Sequence, residues 1–305
     1  MHDDLLALLK QRYGDSPEGV DRHHFTFAVS NRERARKLLT RIKQRTEFHF
    51  RNSRVLDIGC AYAGFVLAAA AVGAEAWGVE IEERFYACGE ANTRGEAGHI
   101  RLLHGDILSE SIQDSLPRDF DLIVINDVFE HVYDTTRLLK HAATLLKPGG
   151  LLVFTVPNGN ALDFIEKEGH NLQLGLSLLP PAEWRDVVNW FSTYYRPWGY
   201  FVALLNAFGF NRIDTWNEPT AQTTHEIAGE IEQRLARIAE LVAASDYRPA
   251  LRERMAGAVL ELAGRAAADA RRDSADLLHW KYRVRFWEGC AFRNGEADAD
   301  VSRYA

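Results

Sequence analysis

The sequence predicts an α/β fold in which helices flank a doubly wound, mostly parallel sheet. Between Ser53 and Pro157, short apolar runs rich in β-branched residues alternate with helix-length segments. Such alternation is typical of parallel strands joined by crossover helices. With 305 residues, of which 47% are hydrophobic, the chain is long enough to bury a sizeable core. The predicted strands are Val55–Ile58, Ala76–Val79, Ile100–Leu103, Leu122–Ile125 and Leu151–Val156.

Composition excludes several classes of protein. A net charge of −7 argues against a protein that binds nucleic acid through bulk electrostatics, and we expect no nucleic-acid partner. Cys60, Cys88 and Cys290 lack the paired spacing of a disulfide framework or a zinc site, which favours a reducing, cytoplasmic location. The pair His23-His24 has no third ligand at metal spacing, so no metal is predicted. Because no apolar run reaches about 18 residues, no membrane span is expected either.

The first 52 residues have helical patterns. Leucines recur on one face of Asp3–Tyr13, and Ser30 and Glu33 have the spacing of a capping box that starts a helix ending near Arg45. These patterns predict a helical N-terminal extension.

The segment from about 159 to 197 is too long and too interrupted for an ordinary crossover loop, since glycines and Pro180-Pro181 break it. We interpret it as a lid. Aromatic side chains in and beside it are suited to a pocket wall for an apolar or ring-shaped substrate, and ordinary core packing is the alternative. They are Trp184, Trp190, Phe191, Tyr194, Tyr195, Trp198, Tyr200 and Phe201.

Beyond the lid, the pattern predicts a helix over Phe201–Phe208 and a strand over Arg212–Asn217. A helical hairpin follows, which begins at a capping box at Thr223 and has its second helix over Pro249–Ala275. Its apolar stripe indicates packing or a homodimer contact. The aromatic segment His279–Arg293 is interpreted as one long strand. The resulting divisions are an extension (1–52), a main domain (53–293) with the lid (159–197) and hairpin (221–277), and a flexible tail (294–305).

The segment from Val55 to Phe65 is the most informative for function. It is an apolar strand ending in Asp57, followed by a turn of small residues and a helix. Such a turn binds dinucleotides as well as nucleosides that carry an amino acid. Asp57 would repel a pyrophosphate but suits an ammonium group, and Ala61 replaces the second glycine of the dinucleotide pattern.

Further features follow in order along the chain. Glu80 ends the second strand, where a carboxylate can accept both ribose hydroxyls. Asp106 and Ile107 follow the third strand and suit an adenine amino group and ring. The fourth strand runs into Asn126–Val132, a loop of polar groups.

On these residues the sequence resembles class I S-adenosylmethionine-dependent methyltransferases over about Ser53–Asn158. The run Asn126–Val132 is similar to the ubiquinone-biosynthesis-like and type 11/12 groups. The resemblance implies a seven-stranded sheet whose last strand is antiparallel and lies beside the fifth. It also implies S-adenosyl-L-methionine as cofactor and a small-molecule acceptor, with O-methylation expected.

The resemblance assigns the methionine portion to the Asp57 turn, the ribose to Glu80, the adenine to Asp106 and the region near the sulfonium to Asn126. Alanines stand at positions 61 and 63, where the family usually has glycine, so a shifted loop or reduced affinity is expected. The full set of expected cofactor-binding residues is Asp57, Gly59, Cys60, Ala61, Gly64, Phe65, Glu80, Ile81, Asp106, Ile107, Asn126 and Asp127.

His131 and Glu130 are the candidate catalytic residues. A hydroxyl acceptor needs a base, and a histidine with a pKa of about 6.5 would serve. An amine or carbanion acceptor weakens that need, and His131 is alternatively a structural residue bonded to backbone. His170, in the lid, is expected to be an exposed loop residue.

Two rival functions stay open. The first is a catalytically silent cofactor-binding scaffold. The second is an NAD-dependent oxidoreductase, which Asp57 and the missing glycine disfavour.

Overall fold

A computed structural model describes residues 2–188 and 193–293, apart from the side chain of Asp186. The chain divides into two compact units. Among the described residues, the first comprises 2–155, 202–214 and 289–293, and the second comprises 156–188, 193–201 and 215–288. Across the described ranges, we find no helix with the length and apolar character needed to cross a membrane.

Seven strands form one sheet in the order β3-β2-β1-β4-β5-β7-β6. The five strands predicted before residue 158 are all present, and the last strand lies beside the fifth as the resemblance implies. The adjacent pairs from β3 to β5 are parallel. The strands are β1 Arg54–Ile58, β2 Glu75–Glu80, β3 His99–His104, β4 Phe120–Asn126, β5 Leu146–Pro157, β6 Phe210–Thr215 and β7 Phe286–Arg293.

The register brings the carboxyl ends of the central strands to one edge. Asp57 of β1 pairs with Gly78 of β2 and with Val124 of β4. Because the strand order reverses between β1 and β4, this edge is a topological switch point, where doubly wound sheets bind ligands.

Helices of the first unit include three that precede the sheet. The helix predicted after Ser30 is present, but its capping box is absent: the Ser30 side chain makes no cap hydrogen bond, and its hydroxyl donates to the carbonyl of Phe27. The helices are α1 Asp3–Tyr13, α2 Gly19–Val29, α3 Asn31–Arg45, α4 Gly64–Ala71, α5 Glu83–Thr93, α6 Glu110–Ser115 and α7 Thr135–Leu145.

Helices account for most of the regular structure of the second unit. The predicted capping box at Thr223 is present, with reciprocal bonds to Glu226. Buried apolar side chains at helical spacing on two long helices form the core of this unit together with Trp184. The remaining helices are α8 Leu162–Glu166, α9 Trp198–Ala207 (shared with the first unit), α10 Thr224–Ala243, α11 Pro249–Asp269 and α12 Ala275–Tyr282.

The prediction of one strand over His279–Arg293 is wrong in its first half. Ser274 caps a new helix, α12, by accepting from Leu277 N–H, so α11 ends at Asp269 rather than at Ala275. Asn158, which is fully buried, donates its side-chain amide to the carbonyls of Trp280, Lys281 and Val284. These bonds satisfy the end of α12, and the strand begins only at Phe286.

The aromatic residues predicted as a pocket wall belong in part to the core. Trp184 is fully buried, and its ring lies 6.0 Å from that of Tyr195. Trp198 packs against Trp280 and Trp287, with ring centroids 5.5 Å apart in each case. Trp190 and Phe191 lie outside the described residues, as does the tail from Asn294.

Candidate active site

Asp57 is a buried carboxylate at the carboxyl end of β1, with 6% of its surface exposed. Burial, and then the charge of Glu80, raises the pKa of Asp57 to about 8. The charged group that acts on Asp57 is thus a second carboxylate, Glu80, and not a cation that would stabilise the ionised form. A cationic ligand group at this edge would stabilise the ionised form of Asp57.

Glu80, at the end of β2, is also buried and holds the turn that follows β1. Its Oε2 accepts from the backbone N–H of Ala61 at 2.8 Å, and its Oε1 accepts from Glu82 N–H at 2.9 Å. Burial raises the pKa of Glu80, and these backbone donors oppose that rise. Because an ionised carboxylate has about four acceptor sites, two bonds leave capacity for ribose hydroxyls.

The turn after β1 keeps left-handed backbone at both alanines. The φ angles are 74° at Gly59, 45° at Ala61 and 56° at Ala63. Both alanines therefore adopt the positive φ that glycine adopts easily. Their Cβ atoms make this conformation strained, and glycine at either position would avoid the strain. A Cβ on Gly59 would lie 2.5 Å from a methyl of Val128, which explains the glycine there.

The start of helix α3 packs against the start of α4, a contact that the sequence did not indicate. A Cβ on Gly64 would lie 2.8 Å from the Asn31 carbonyl oxygen. Fully buried Asn92 donates to Asn31 Oδ1 at 3.0 Å and to the Tyr62 carbonyl at 2.7 Å. The N-terminal helices thus support the turn directly.

Arg34 of α3 is a further candidate site residue, which the sequence did not indicate. Burial lowers the pKa of Arg34, and the charge of Asp127 opposes that change. One of its terminal nitrogens donates to the Phe27 carbonyl at 3.1 Å, while its buried Nε has no hydrogen-bond partner among the described residues. An unsatisfied guanidinium N–H is suited to an anionic ligand group. Arg34 is recognisable as a candidate only from its position in the folded chain, since no sequence motif marks it.

The expected adenine residues differ in exposure. Asp106 is exposed, and its Oδ1 accepts from Leu108 N–H at 2.8 Å, so its side chain caps the turn that follows β3. Ile107 is buried, whereas 64% of Ile81 is exposed at the end of β2. Phe65 is buried edge-on against Phe50.

Cys60 is buried beside Gly78, where a Cβ would lie 2.7 Å from its sulfur. Burial raises the pKa of the Cys60 thiol well above its usual range, so the thiol stays neutral. Cys60 therefore shapes the turn rather than acting as a nucleophile.

Residues after β4 contain the candidate catalytic pair. Asn126 donates to Asp127 Oδ2 at 3.2 Å, and Asp127 has a φ of 56°. Glu130 is buried on a short 3₁₀ turn, whereas His131 is 29% exposed. The nearest approach of His131 Nε2 to the Glu130 carboxylate is 3.8 Å, which is beyond hydrogen-bond distance.

Comparisons with known proteins indicate the family of the chain. The sequence profile of a methyltransferase domain matches residues 30–212, more than half of the chain. A ubiquinone biosynthesis O-methyltransferase from Paraburkholderia phymatum is 28% identical over 117 residues, which are 38% of this chain and 50% of the relative. Its counterpart from Methylococcus capsulatus is 30% identical over 105 residues, 34% of this chain and 44% of the relative. The chain spans about half the length of these curated relatives.

A solved structure shares the fold. Haemonchus contortus phosphoethanolamine N-methyltransferase 2, with bound S-adenosylhomocysteine, superposes with a TM-score of 0.51 at 15% identity. The match covers 95% of this chain and 60% of that one. The chain belongs to the methyltransferase-domain family, and its resemblance to class I S-adenosylmethionine-dependent methyltransferases is confirmed.

Proposed function

We propose that the protein transfers a methyl group from S-adenosylmethionine to a hydroxyl oxygen of a small, ring-shaped acceptor. The observation that carries the cofactor assignment is the buried Asp57, whose pKa is raised to about 8 beside a second carboxylate. A cationic ligand group would stabilise the two ionised carboxylates, whereas a pyrophosphate would add to the repulsion between negative charges. The site thus favours S-adenosylmethionine over a nicotinamide dinucleotide.

Each cofactor group has a complementary residue in the first unit. Asp57 would receive the ammonium, Glu80 the ribose hydroxyls, and Arg34 the carboxylate of the methionine portion. Ile81 offers exposed apolar surface for the adenine ring, with Asp106 for its amino group. When bound, the cofactor supplies a methyl group on a positively charged sulfur, already activated for attack. The residues of this chain then have to bind the cofactor and the acceptor, orient them for attack on the methyl group, and exclude water from the site.

The acceptor class rests on the names of the relatives, which are O-methyltransferases of ubiquinone biosynthesis. A hydroxyl acceptor must lose its proton as it is methylated, so this chemistry needs a proton acceptor. His131 is the candidate that the sequence offers, and its role stays a prediction.

Titration calorimetry with S-adenosylhomocysteine tests the cofactor assignment. The wild-type protein should bind, and Glu80→Gln should lose about 1 to 3 kcal/mol of binding free energy through its weakened bonds. Glu83→Gln, on the exposed start of α5, is the matched control and should bind like wild type. Thermal stabilisation by NAD but not by S-adenosylhomocysteine would overturn the assignment.

Incubation with labelled S-adenosylmethionine and catechol tests the reaction. Methylated catechol is the expected product. Tight binding of S-adenosylhomocysteine without turnover on any hydroxyl acceptor would favour the scaffold alternative.

A further inference from the structure

Helix α11 of the second unit has two faces with different surroundings. One face is buried in the core of the unit, and its side chains are Leu251, Met255, Val259, Leu262 and Ala266. The apolar pattern of this helix in the sequence is therefore used for core packing. A second row of residues is offset from the buried row by about half a turn, so it lies on the opposite side of the helix.

The second row forms an outer stripe that runs from Glu253 to Arg271. Its members are all exposed, and they are Glu253, Gly257, Leu260, Gly264, Ala267 and Arg271. Spacings of four and three residues in alternation are those of the contact line of a coiled coil. Arg271 lies in the turn just after α11, where the Ala270 N–H still bonds to the Ala266 carbonyl and prolongs the helical path.

Leu260, in the middle of the outer stripe, is a large apolar side chain with 71% of its surface exposed. A Cβ on Gly257 or on Gly264 would meet no atom of the described residues within 4 Å, so packing within this chain does not require glycine there. Glycine inside a helix is destabilising relative to alanine. Bare backbone on both sides of an exposed leucine allows a second helix to approach closely and to bury that leucine.

The two ends of the outer stripe carry opposite charges, Glu253 at the start and Arg271 about 27 Å further along a straight helix. A second copy of α11 that runs antiparallel brings Glu253 to the partner's Arg271 at both ends. The same register sets Leu260 on the partner's Gly264, because both pairs lie at equal distances from residue 262. A parallel partner would instead place like charges opposite each other. The outer stripe is therefore complementary to itself in the antiparallel direction.

We propose that the outer stripe is an antiparallel contact between two copies of this chain. Each Leu260 packs on glycine backbone of the partner's helix, and an ion pair between Glu253 and Arg271 at each end sets the direction. Glu261, near the two-fold axis, has Arg265 one turn along the same helix to offset the like charge of the partner's Glu261. Use of the same surface by both copies is the usual geometry of a homodimer. This inference does not depend on the proposed function.

Sedimentation velocity of the full-length protein tests the contact. An interface along one helix is small, so the shift from monomer to dimer is expected between about 1 and 100 μM. Leu260→Lys should raise the dissociation constant at least about tenfold, because it sets a charge against the partner's backbone. Leu277→Lys, at a leucine of α12 that is 40% exposed, is the matched control and should dimerise like wild type. A wild type that stays monomeric, or a Leu260→Lys variant that dimerises like wild type, would overturn the proposal.

Charge exchange tests the antiparallel direction. Glu253→Arg alone and Arg271→Glu alone each place like charges at both ends, so each should raise the dissociation constant by about 3- to 30-fold. The double variant Glu253→Arg/Arg271→Glu should restore wild-type association, because each end again holds one charge of each sign. Unchanged association of both single variants would overturn the antiparallel contact. A loss that the double variant does not restore would show that the charges act within α11 itself, and it would overturn the proposed ion pairs.

Discussion

The affinity for S-adenosylhomocysteine is expected to rise with pH, because Asp57 must be ionised to receive the ligand's ammonium group. Burial and the charge of Glu80 raise the pKa of Asp57 to about 8. With that pKa, about 1% of Asp57 is ionised at pH 6 and about 9% at pH 7, so the affinity should rise about ninefold over this interval. Asp57→Asn cannot ionise, so it should bind more weakly at pH 7 and lack this rise.

Titration calorimetry at about pH 6, 6.5 and 7 measures the effect on the full chain. Asp114→Asn, which alters an exposed carboxylate on α6, is the matched control and should keep the wild-type slope. A wild-type affinity that does not change over this range would refute the reasoning. Equal affinity of Asp57→Asn and wild type would remove Asp57 from the ligand site.

The same proton affects folding stability. Since the pKa of an unfolded aspartate is about 3.9, the folded protein holds a proton on Asp57 that the unfolded chain has lost between about pH 4 and pH 8. The contribution of this group to stability is complete below about pH 4 and is lost as the pH rises through 8. Urea unfolding should therefore show that Asp57→Asn loses stability less steeply than wild type over that range.

Four further changes have definite expected outcomes. Ala61→Gly relieves a left-handed alanine and should raise the free energy of unfolding by about 1 kcal/mol in urea titrations, and a decrease would show that the turn is not strained. Gly64→Ala places a methyl 2.8 Å from Asn31 O and should cost about 1 to 3 kcal/mol, whereas wild-type stability would mean that α3 yields freely. Amides within 160–197 should become better protected from hydrogen exchange when cofactor and acceptor bind, and equal protection would reject the lid. His131→Ala should keep nearly wild-type affinity for S-adenosylhomocysteine in calorimetry, and a large loss would place His131 in the cofactor site.

The strands of the central sheet were predictable because they are buried on both faces. Such strands appear in the sequence as short continuous apolar runs, as in Leu122–Ile125, and no distant contact is needed to recognise them. The carboxylates at their ends were equally visible, since Asp57 and Glu80 each end an apolar run. The proposed position of the cofactor site follows from these two signals together.

Features that depend on distant contacts were not predictable. Aromatic residues favoured a strand over 279–285, but Ser274 and the Asn158 amide stabilise a helix there instead. The contact of Asn31 with Gly64 and the bond from Glu168 to His170 depend on how the loops fold back. Sequence spacing contains no signal for either.

A crystal structure with bound S-adenosylhomocysteine tests the central claim most directly. We predict the amino group of the ligand within hydrogen-bond distance of Asp57 and its ribose hydroxyls on Glu80, at the carboxyl ends of β1 and β2. Ligand density elsewhere, or at this edge with neither carboxylate in contact, would contradict the account.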